Sequence, residues 1–435
     1  MAKKFLQTPQ GMPDILPKEQ IFFERVLAVV KDFAHFYGFK KIDTPILEFT
    51  ELFEKGIGYS SDIVEKEMYT FETRGGDSLT LRPEGTAPIA RVYLQHGMQN
   101  LPQPLKLYYW GSFFRHERPQ EGRYRQFHQF GFEVLGEQSP AIDAQVVQLS
   151  YRILEALKIK PLTILINSIG CNLCRPYFKK VLKNYYNARA GQICPDCKKR
   201  LKKNPLRVLD CKEEKCQQVK NQAPKIIDHL CEECKNHFRE VLEFLDEVHL
   251  PYILDHYLVR GLDYYTRTVF EIVPVDVSDF GKGKEFEAGS QATLVGGGRY
   301  DDLIKLFSRK EVPAMGSAGG IERIIKEMKL GGERLPHSKG PAIFLAQLGD
   351  LGKRKSLKLF EDFQKAKILV AESFGRDSIK SQLKIADKLR VKYTLILGQK
   401  EALDGTIILR EMESGRQEIM KLDKVVDMMK KRLKR

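Results

Sequence analysis

A chain of 435 residues, 42% of them hydrophobic, has the material for two or three domains with buried cores. It contains no run of about 18 apolar residues, so nothing is predicted to span a membrane. The opening MAKKFLQTPQGMPDILP lacks an apolar signal core, so a cytoplasmic protein is expected. The formal charge of +15 is unevenly spread: residues 171–240 carry 17 Lys and Arg against 8 Asp and Glu, and residues 341–435 carry 22 against 13. Two basic appendages on a near-neutral body suit a core whose polyanionic substrate is gripped from outside.

Apolar residues from Ile21 to Phe33 recur at helical spacing, which predicts a helix over 20–37 closed by Gly38. Residues 39–47 read as a strand broken by Pro45, which an edge strand tolerates. A short strand at 79–81, a helix at 86–96 and antiparallel strands at 105–110 and 113–135 follow. Residues 140–157 read as a helix and 162–166 as a strand. All eight cysteines then fall between Cys171 and Cys234, and a helix near 238–248 ends that segment. Strand character returns over 258–273 and again at 293–298, and residues 309–326 carry a glycine-rich strand into a helix. Residues 329–339 are a polar Gly and Pro linker. Beyond it, strands at 342–346, 368–371 and 393–397 alternate with helices, which predicts a separate α/β module with a mixed sheet. The expected fold class is α+β. An antiparallel-sheet core (1–170 and 241–328) carries a helical, cysteine-rich insertion (171–240), a linker (329–340) and a C-terminal α/β domain (341–435).

The cysteines Cys171, Cys174, Cys194, Cys197, Cys211, Cys216, Cys231 and Cys234 form three C-x2-C pairs and one C-x4-C pair. Disulfides do not suit a reducing cytoplasm. The spacing leaves two readings: up to two tetrahedral thiolate zinc sites, or reduced thiols on an insertion that folds by helix packing. Catalytic zinc is not expected, because no His or carboxylate pattern leaves an open coordination position.

The richest chemistry lies in residues 113–136. Arg115, Arg118, Arg123 and Arg125 share a predicted hairpin with Glu117, Glu133, Gln126 and Gln129, while Phe113, Phe127, Phe130, Phe132 and Val134 would half bury it. Few structural hairpins carry so many donors, since each buried charge must find a partner. A phosphate site needs them, because guanidinium groups fork onto phosphate oxygens.

This segment resembles motif 2 of the class II aminoacyl-tRNA synthetases, in particular that of the histidyl-tRNA synthetase family. Residues 81–86, LRPEGT, resemble the family's amino-acid-binding loop; 260–265, RGLDYY, and 296–301, GGGRYD, resemble its two signatures; 314–323, AMGSAGGIER, resemble motif 3. The long first helix and its strand are similar to motif 1, which builds the class II dimer interface, and the C-terminal module corresponds to the anticodon-binding domain. The resemblance covers nearly the whole chain. A non-catalytic relative, the regulatory subunit of ATP phosphoribosyltransferase, would lack the C-terminal module and degrade the motif 2 loop, and both are intact here.

The resemblance implies attachment of L-histidine to tRNA(His) by a homodimer, using ATP and Mg²⁺ and passing through a histidyl-adenylate. The amino acid carboxylate is already ionised at neutral pH, so the first step needs positioning and charge cancellation rather than a general base. Arg115 and Arg260 are the implied catalytic pair, Arg115 on the α-phosphate and carboxylate and Arg260 opposite it. Glu117 and Arg123 would hold adenine and the bent triphosphate, with Arg323 near the γ-phosphate. Glu84, Thr86 and Gln129 suit the α-ammonium, beside Gly85. Glu133 and Tyr265 suit the two imidazole nitrogens, and a site bonding both rejects isosteres strongly. Tyr264 and Tyr300 line the pocket by resemblance, and for Tyr300 the favoured alternative is core packing with its hydroxyl satisfied elsewhere. Gln120 and Arg125 would reach the acceptor end of the tRNA. The insertion reads as a basic clamp on the acceptor arm, dispensable for pyrophosphate exchange.

Overall fold

Pro17 opens the first helix, α1 (Pro17–Phe36), where its missing N–H costs nothing, and Val26, Val29, Val30 and Ala34 form the buried stripe. The computed structural model describes residues 6–59, 61–117, 123–279, 292–333 and 340–433. After α1 come β1 (Lys40–Lys41), β2 (Leu47–Phe49), α2 (Thr50–Ile57), β3 (Tyr69–Glu72), β4 (Ser78–Leu81), α3 (Thr86–Gln95), β5 (Leu105–Phe114), β6 (Gln126–Leu135), α4 (Pro140–Ala156) and β7 (Thr163–Ser168). The insertion supplies α5 (Arg175–Asn187), α6 (Pro195–Lys203), α7 (Glu214–Lys220) and α8 (Glu232–Glu247). The chain returns through β8 (Tyr252–Leu254), β9 (Thr266–Val273), β10 (Val295–Arg299), α9 (Leu303–Ser308), β11 (Ala314–Gly320) and α10 (Ile321–Leu330).

Eight of these strands form one sheet in the order β1-β5-β6-β11-β10-β9-β7-β8. Its six inner strands run antiparallel, and only the short edge strands β1 and β8 pair parallel with their neighbours. The strand expected over 39–47 is instead two short strands in two sheets. β1 joins the large sheet, whereas β2 lies beyond Pro45 in a separate three-stranded sheet, β2-β4-β3. Pro45 has no N–H to continue a ladder, so the chain changes sheets around it. Residues 258–265 are turns rather than strand. Asp255 starts them, its carboxylate accepting the Tyr257 N–H at 3.0 Å and its carbonyl the Leu258 N–H at 3.0 Å.

The insertion is not a separate globule. Phe178, Leu182, Tyr186, Leu206 and Leu230 belong to the same apolar cluster as Ile89, Tyr93, Tyr109, Leu165 and Tyr265 of the sheet and its helices. Removing the insertion would therefore open the core of the large unit, Met1–Arg334.

The second unit, Leu335–Arg435, holds β12 (Ile343–Gln347), α11 (Gly349–Lys365), β13 (Val370–Glu372), α12 (Ile379–Lys388), β14 (Tyr393–Leu397), α13 (Gln399–Asp404), β15 (Thr406–Glu411), β16 (Gln417–Lys421) and α14 (Val425–Leu433). Its sheet runs β13-β12-β14-β15-β16, parallel on one side of β14 and antiparallel on the other. Alternate residues of β12 serve opposite faces, Ile343 and Leu345 in one cluster and Phe344 and Ala346 in another, so both faces are covered.

Candidate active site

The floor of the site is built by the end of β4 and the start of α3. Glu84 turns its carboxylate onto the N–H groups of Thr86 (2.6 Å) and Ala87 (2.8 Å), satisfying two orphan donors at the positive end of α3. Thr86 in turn donates its hydroxyl to Glu133 of β6 at 2.9 Å, and Tyr300 donates to the other Glu133 oxygen at 2.5 Å. Tyr264 donates to Glu84 at 3.3 Å. Two buried carboxylates are thus linked through one threonine and topped by tyrosines. The Tyr264 ring lies 4.8 Å from that of Tyr265 and 5.8 Å from that of Tyr300, centre to centre.

Burial raises both acids. For Glu84 the amides of Ala87 and Thr86 pull back against it. Glu133 is pushed to about 8, first by burial, with the charge of Glu84 adding and the hydroxyls of Tyr300, Thr86 and Tyr109 opposing. Glycine makes this packing possible. Gly316 of β11 faces Glu133 across the sheet, and a Cβ there would lie 1.9 Å from the Glu133 Oε2. A Cβ on Gly85 would meet the Tyr109 ring at 2.4 Å.

Above this floor the guanidinium groups gather. Arg115 donates Nε to the Pro83 carbonyl at 2.9 Å and lies 5.5 Å over the Phe127 ring. Arg123 pairs with Glu117 at 3.0 Å. Arg323, in the first turn of α10, donates to the Thr293 carbonyl at 3.2 Å. Burial lowers the Arg323 pKa, and the charges of Arg123 and Arg115 lower it further. The neighbouring Glu322 fixes α10 against motif 2, accepting from His128 N–H at 2.9 Å and lying 2.8 Å from its Nδ1. Arg260 pairs with Glu271 of β9, and its buried Nε has no partner among the described residues. Glu271 also accepts from Thr293 at 2.6 Å.

These groups line one cavity of about 910 Å³. Glu84, Gly85, Thr86, Arg115, Glu117, Arg123, Gln129, Arg260, Tyr264, Tyr265 and Arg323 all reach it. Glu133 and Arg125 are not among its lining residues. Glu133 sits beneath Tyr300 and Thr86, and Arg125 packs on Gly11 while donating Nε to the Glu117 carbonyl at 3.3 Å. Gln120 and Arg118 lie outside the described residues. Tyr300 departs from the core-packing expectation: its hydroxyl is spent on Glu133 inside the site. Arg82 of the LRPEGT segment is a strut, bonded to the Ser112 and Thr44 carbonyls at 2.9 Å each.

Sequence reasoning missed Tyr109, Glu271 and the insertion's share of the wall. Glu271 had a signal, a lone carboxylate within the apolar run VFEIV of β9. The insertion had none. Arg207 donates to the Arg260 carbonyl at 3.1 Å and pairs with Asp62 at 2.9 Å, and Asn204 donates to Asp263 at 2.9 Å. Lys212, Lys215 and Lys220 line the same cavity. A clamp hung outside the core does not describe this segment.

The cysteines divide into two groups of four, nested in sequence: Cys171, Cys174, Cys231 and Cys234, and inside them Cys194, Cys197, Cys211 and Cys216. Neighbouring sulfurs lie 3.8 Å apart for Cys171–Cys174, Cys171–Cys231 and Cys194–Cys211, and 3.9 Å for Cys174–Cys234.

A family profile described as Histidyl-tRNA synthetase matches residues 11–324, and one described as Anticodon binding domain matches residues 349–432. The chain belongs to the histidyl-tRNA synthetase family. It is 46% identical to a Histidine–tRNA ligase of Dehalococcoides mccartyi over 98% of this chain and all of the relative. A second Histidine–tRNA ligase, from Desulforamulus reducens, is 42% identical over 98% of this chain and 99% of its own length. Among solved structures, apo histidyl-tRNA synthetase of S. aureus matches 98% of this chain and 99% of its own with a TM-score of 0.77 at 34% identity.

Proposed function

We propose that the cavity holds histidine on its carboxylate floor and ATP beneath its guanidinium groups, so that the two react where Arg115 and Arg260 converge. As a member of its family the chain is a ligase that attaches L-histidine to tRNA(His) at the expense of ATP, through a histidyl-adenylate, releasing AMP and pyrophosphate. The observation that carries the residue assignment is the division of one cavity into an acidic floor and a basic roof. Histidine's α-ammonium suits Glu84, Thr86 and Gln129, and its ring suits Tyr265 and the hydroxyls that rest on Glu133. Arg115 grips the α-phosphate and the carboxylate, and Arg260 cancels charge on the far side of the phosphorus. Arg123, Glu117 and Arg323 serve the adenine and outer phosphates. Mg²⁺, when bound with ATP, neutralises the outer phosphate oxygens. Gln120 and Arg125 remain our candidates for the acceptor end of the tRNA. We divide the chain at 1–170 with 241–328, 171–240, 329–340 and 341–435.

The thiol groups fit zinc. A tetrahedron with Zn–S bonds of about 2.3 Å has edges of about 3.8 Å, whereas a disulfide closes to about 2.05 Å. We assign one structural zinc to each group, with no open position for catalysis. Phe36, Ile46 and Phe49 expose their side chains on the segment similar to motif 1, which supports a homodimer. Among the described residues no helix is long and apolar enough to cross a membrane. From its kinship with ligases that charge tRNA, we assign the enzyme to the cytoplasm. Pyrophosphate exchange measured with each amino acid tests the function. Histidine alone should support it, and exchange driven equally by another amino acid would overturn the assignment.

A further inference from the structure

The outer thiol group sits at the neck where the insertion leaves and rejoins the sheet. Cys171 follows the end of β7 by three residues, and Cys231 and Cys234 begin α8. The bonds that hold the chain after the tyrosine pair come from this neck. Ile169 donates its N–H to the Arg267 carbonyl at 2.8 Å, and the Arg267 N–H returns to the Gly170 carbonyl at 2.9 Å. Arg175, next to Cys174, donates Nη1 to the Tyr265 carbonyl at 2.8 Å. Glu233, next to Cys234, accepts from Arg267 at 2.5 Å. Arg267 has a φ of 49°, a left-handed conformation that a side-chain-bearing residue keeps only when its surroundings over-determine it.

The inner group does the same for the other end of the stretch. Asn204 and Arg207 follow α6, whose first turn carries Cys197, and they bond Asp263 and the Arg260 carbonyl. Residues 260–265 are therefore turns, and Thr266 and Arg267 open β9. The far end is pinned by Arg175 and Glu233, next to Cys174 and Cys234, and the near end by Asn204 and Arg207, which lie between Cys197 and Cys211 in sequence. The phosphate side of the cavity is held otherwise, by Pro83, Glu117 and Thr293.

We propose that the two cysteine groups, each holding zinc, form a metal-dependent clamp on residues 260–267, with Arg175 as the positioning residue that ties the outer site to the histidine pocket. The clamp rests on the thiolate-zinc reading above. Loss of the outer ion frees the neck, releases the Arg267 turn and shifts Tyr264 and Tyr265. Histidine recognition fails first, while ATP binding is spared.

The test uses full-length protein. Elemental analysis of the wild type should give two equivalents of zinc per chain. Arg175→Met removes the bond to Tyr265 and the ion pair with Asp302 at 3.8 Å, and leaves all eight thiols in place. It should keep both ions yet raise the histidine KM in pyrophosphate exchange about tenfold, the lower end for losing a bond from a charged donor. The ATP KM should stay within about twofold, and Arg175→Lys should recover part of the loss. Should Arg175→Met fail to fold, Glu233→Gln is an exposed substitution and should raise the histidine KM about twofold with zinc retained. Chelator-stripped wild type should show the larger rise and recover on adding zinc. An unchanged histidine KM in zinc-loaded, folded variants overturns the clamp and leaves the metal sites standing. A wild type without zinc overturns the metal sites and the clamp together.

Discussion

Histidine binding should expel a proton from Glu133. Its carboxyl is pushed to about 8, chiefly because burial disfavours its charge. A group with that value is about nine-tenths protonated at pH 7. A cation settling beside Glu84 and the hydroxyls that rest on Glu133 favours the carboxylate, so binding at pH 7 should release up to about 0.9 proton per site. Histidine affinity should then fall about fivefold from pH 8 to pH 7, a difference of about 1 kcal/mol. The free ligand's imidazole is mostly neutral across that interval and adds little. Calorimetry in two buffers of different ionisation enthalpy reads the proton directly. Glu133→Gln keeps the shape, accepts from one of the two hydroxyls and donates its NH2 to the other, but cannot titrate, so it should lose both the proton release and the pH slope. Folding gives a second readout with a definite sign. The folded value lies above the unfolded 4.5, so Glu133 binds its proton more tightly in the native state. Its contribution is complete below about 4.5 and is lost as pH rises towards about 8, on the order of a few kcal/mol. The empty wild type should therefore melt lower at pH 8 than at pH 5 by more than Glu133→Gln does. Equal binding enthalpies in both buffers for the wild type, or the same proton release from the Gln variant, would refute the reasoning.

Arg260→His should cut kcat for pyrophosphate exchange by at least about 10²-fold, the scale of one lost preorganised donor, and near-normal exchange in a folded variant would remove Arg260 from the transition state. Arg125→Ala should slow aminoacylation while sparing exchange, because Arg125 does not line the cavity; matched losses in both assays would put it in the adenylate site. Gly316→Ala should destabilise the protein by about 1–3 kcal/mol, measured by denaturant melts, and weaken histidine binding, since its methyl meets Glu133. Deleting residues 171–240 should abolish histidine-dependent exchange along with tRNA binding, and a truncated protein that still exchanges pyrophosphate would show that the insertion contributes nothing to the pocket.

Periodicity exposed the elements whose burial is one-sided. The stripe of α1, the paired strands β5 and β6 and the alternation of β12 each follow from where water is excluded. It failed at residues 258–265, where apolar and aromatic residues look strand-like but are held by side-chain bonds from elsewhere in the chain. It also passed over β15 and β16, whose mixed polar faces carry a weak signal. In the site, residue type was legible because arginines and buried acids have few structural uses. Depth was not. Nothing in the local sequence distinguishes Glu84, which lines the cavity, from Glu133, which lies under a tyrosine. That difference arises from the register of β6 against β11 and from Gly316. The share of the insertion in the wall was illegible for a related reason: a net charge says where counter-ions gather, while Asn204 and Arg207 act through bonds across more than 50 residues of sequence.

Electrostatic strain within the site links these observations. The floor holds two carboxylic acids that burial drives towards the protonated form. The roof holds guanidinium groups, among which burial first and then the charges of Arg123 and Arg115 depress Arg323. Neither half can relieve the other, because the floor acids are already bonded to Thr86, Ala87 and Tyr300, and Arg260 is already paired with Glu271. A zwitterion with its cation downward and its carboxylate upward relieves both at once, and a triphosphate relieves the rest of the roof. The reacting oxygen is then held between the two charges, beside the phosphorus it attacks. Orientation of the amino acid follows from the polarity of the cavity, before any contact with its side chain.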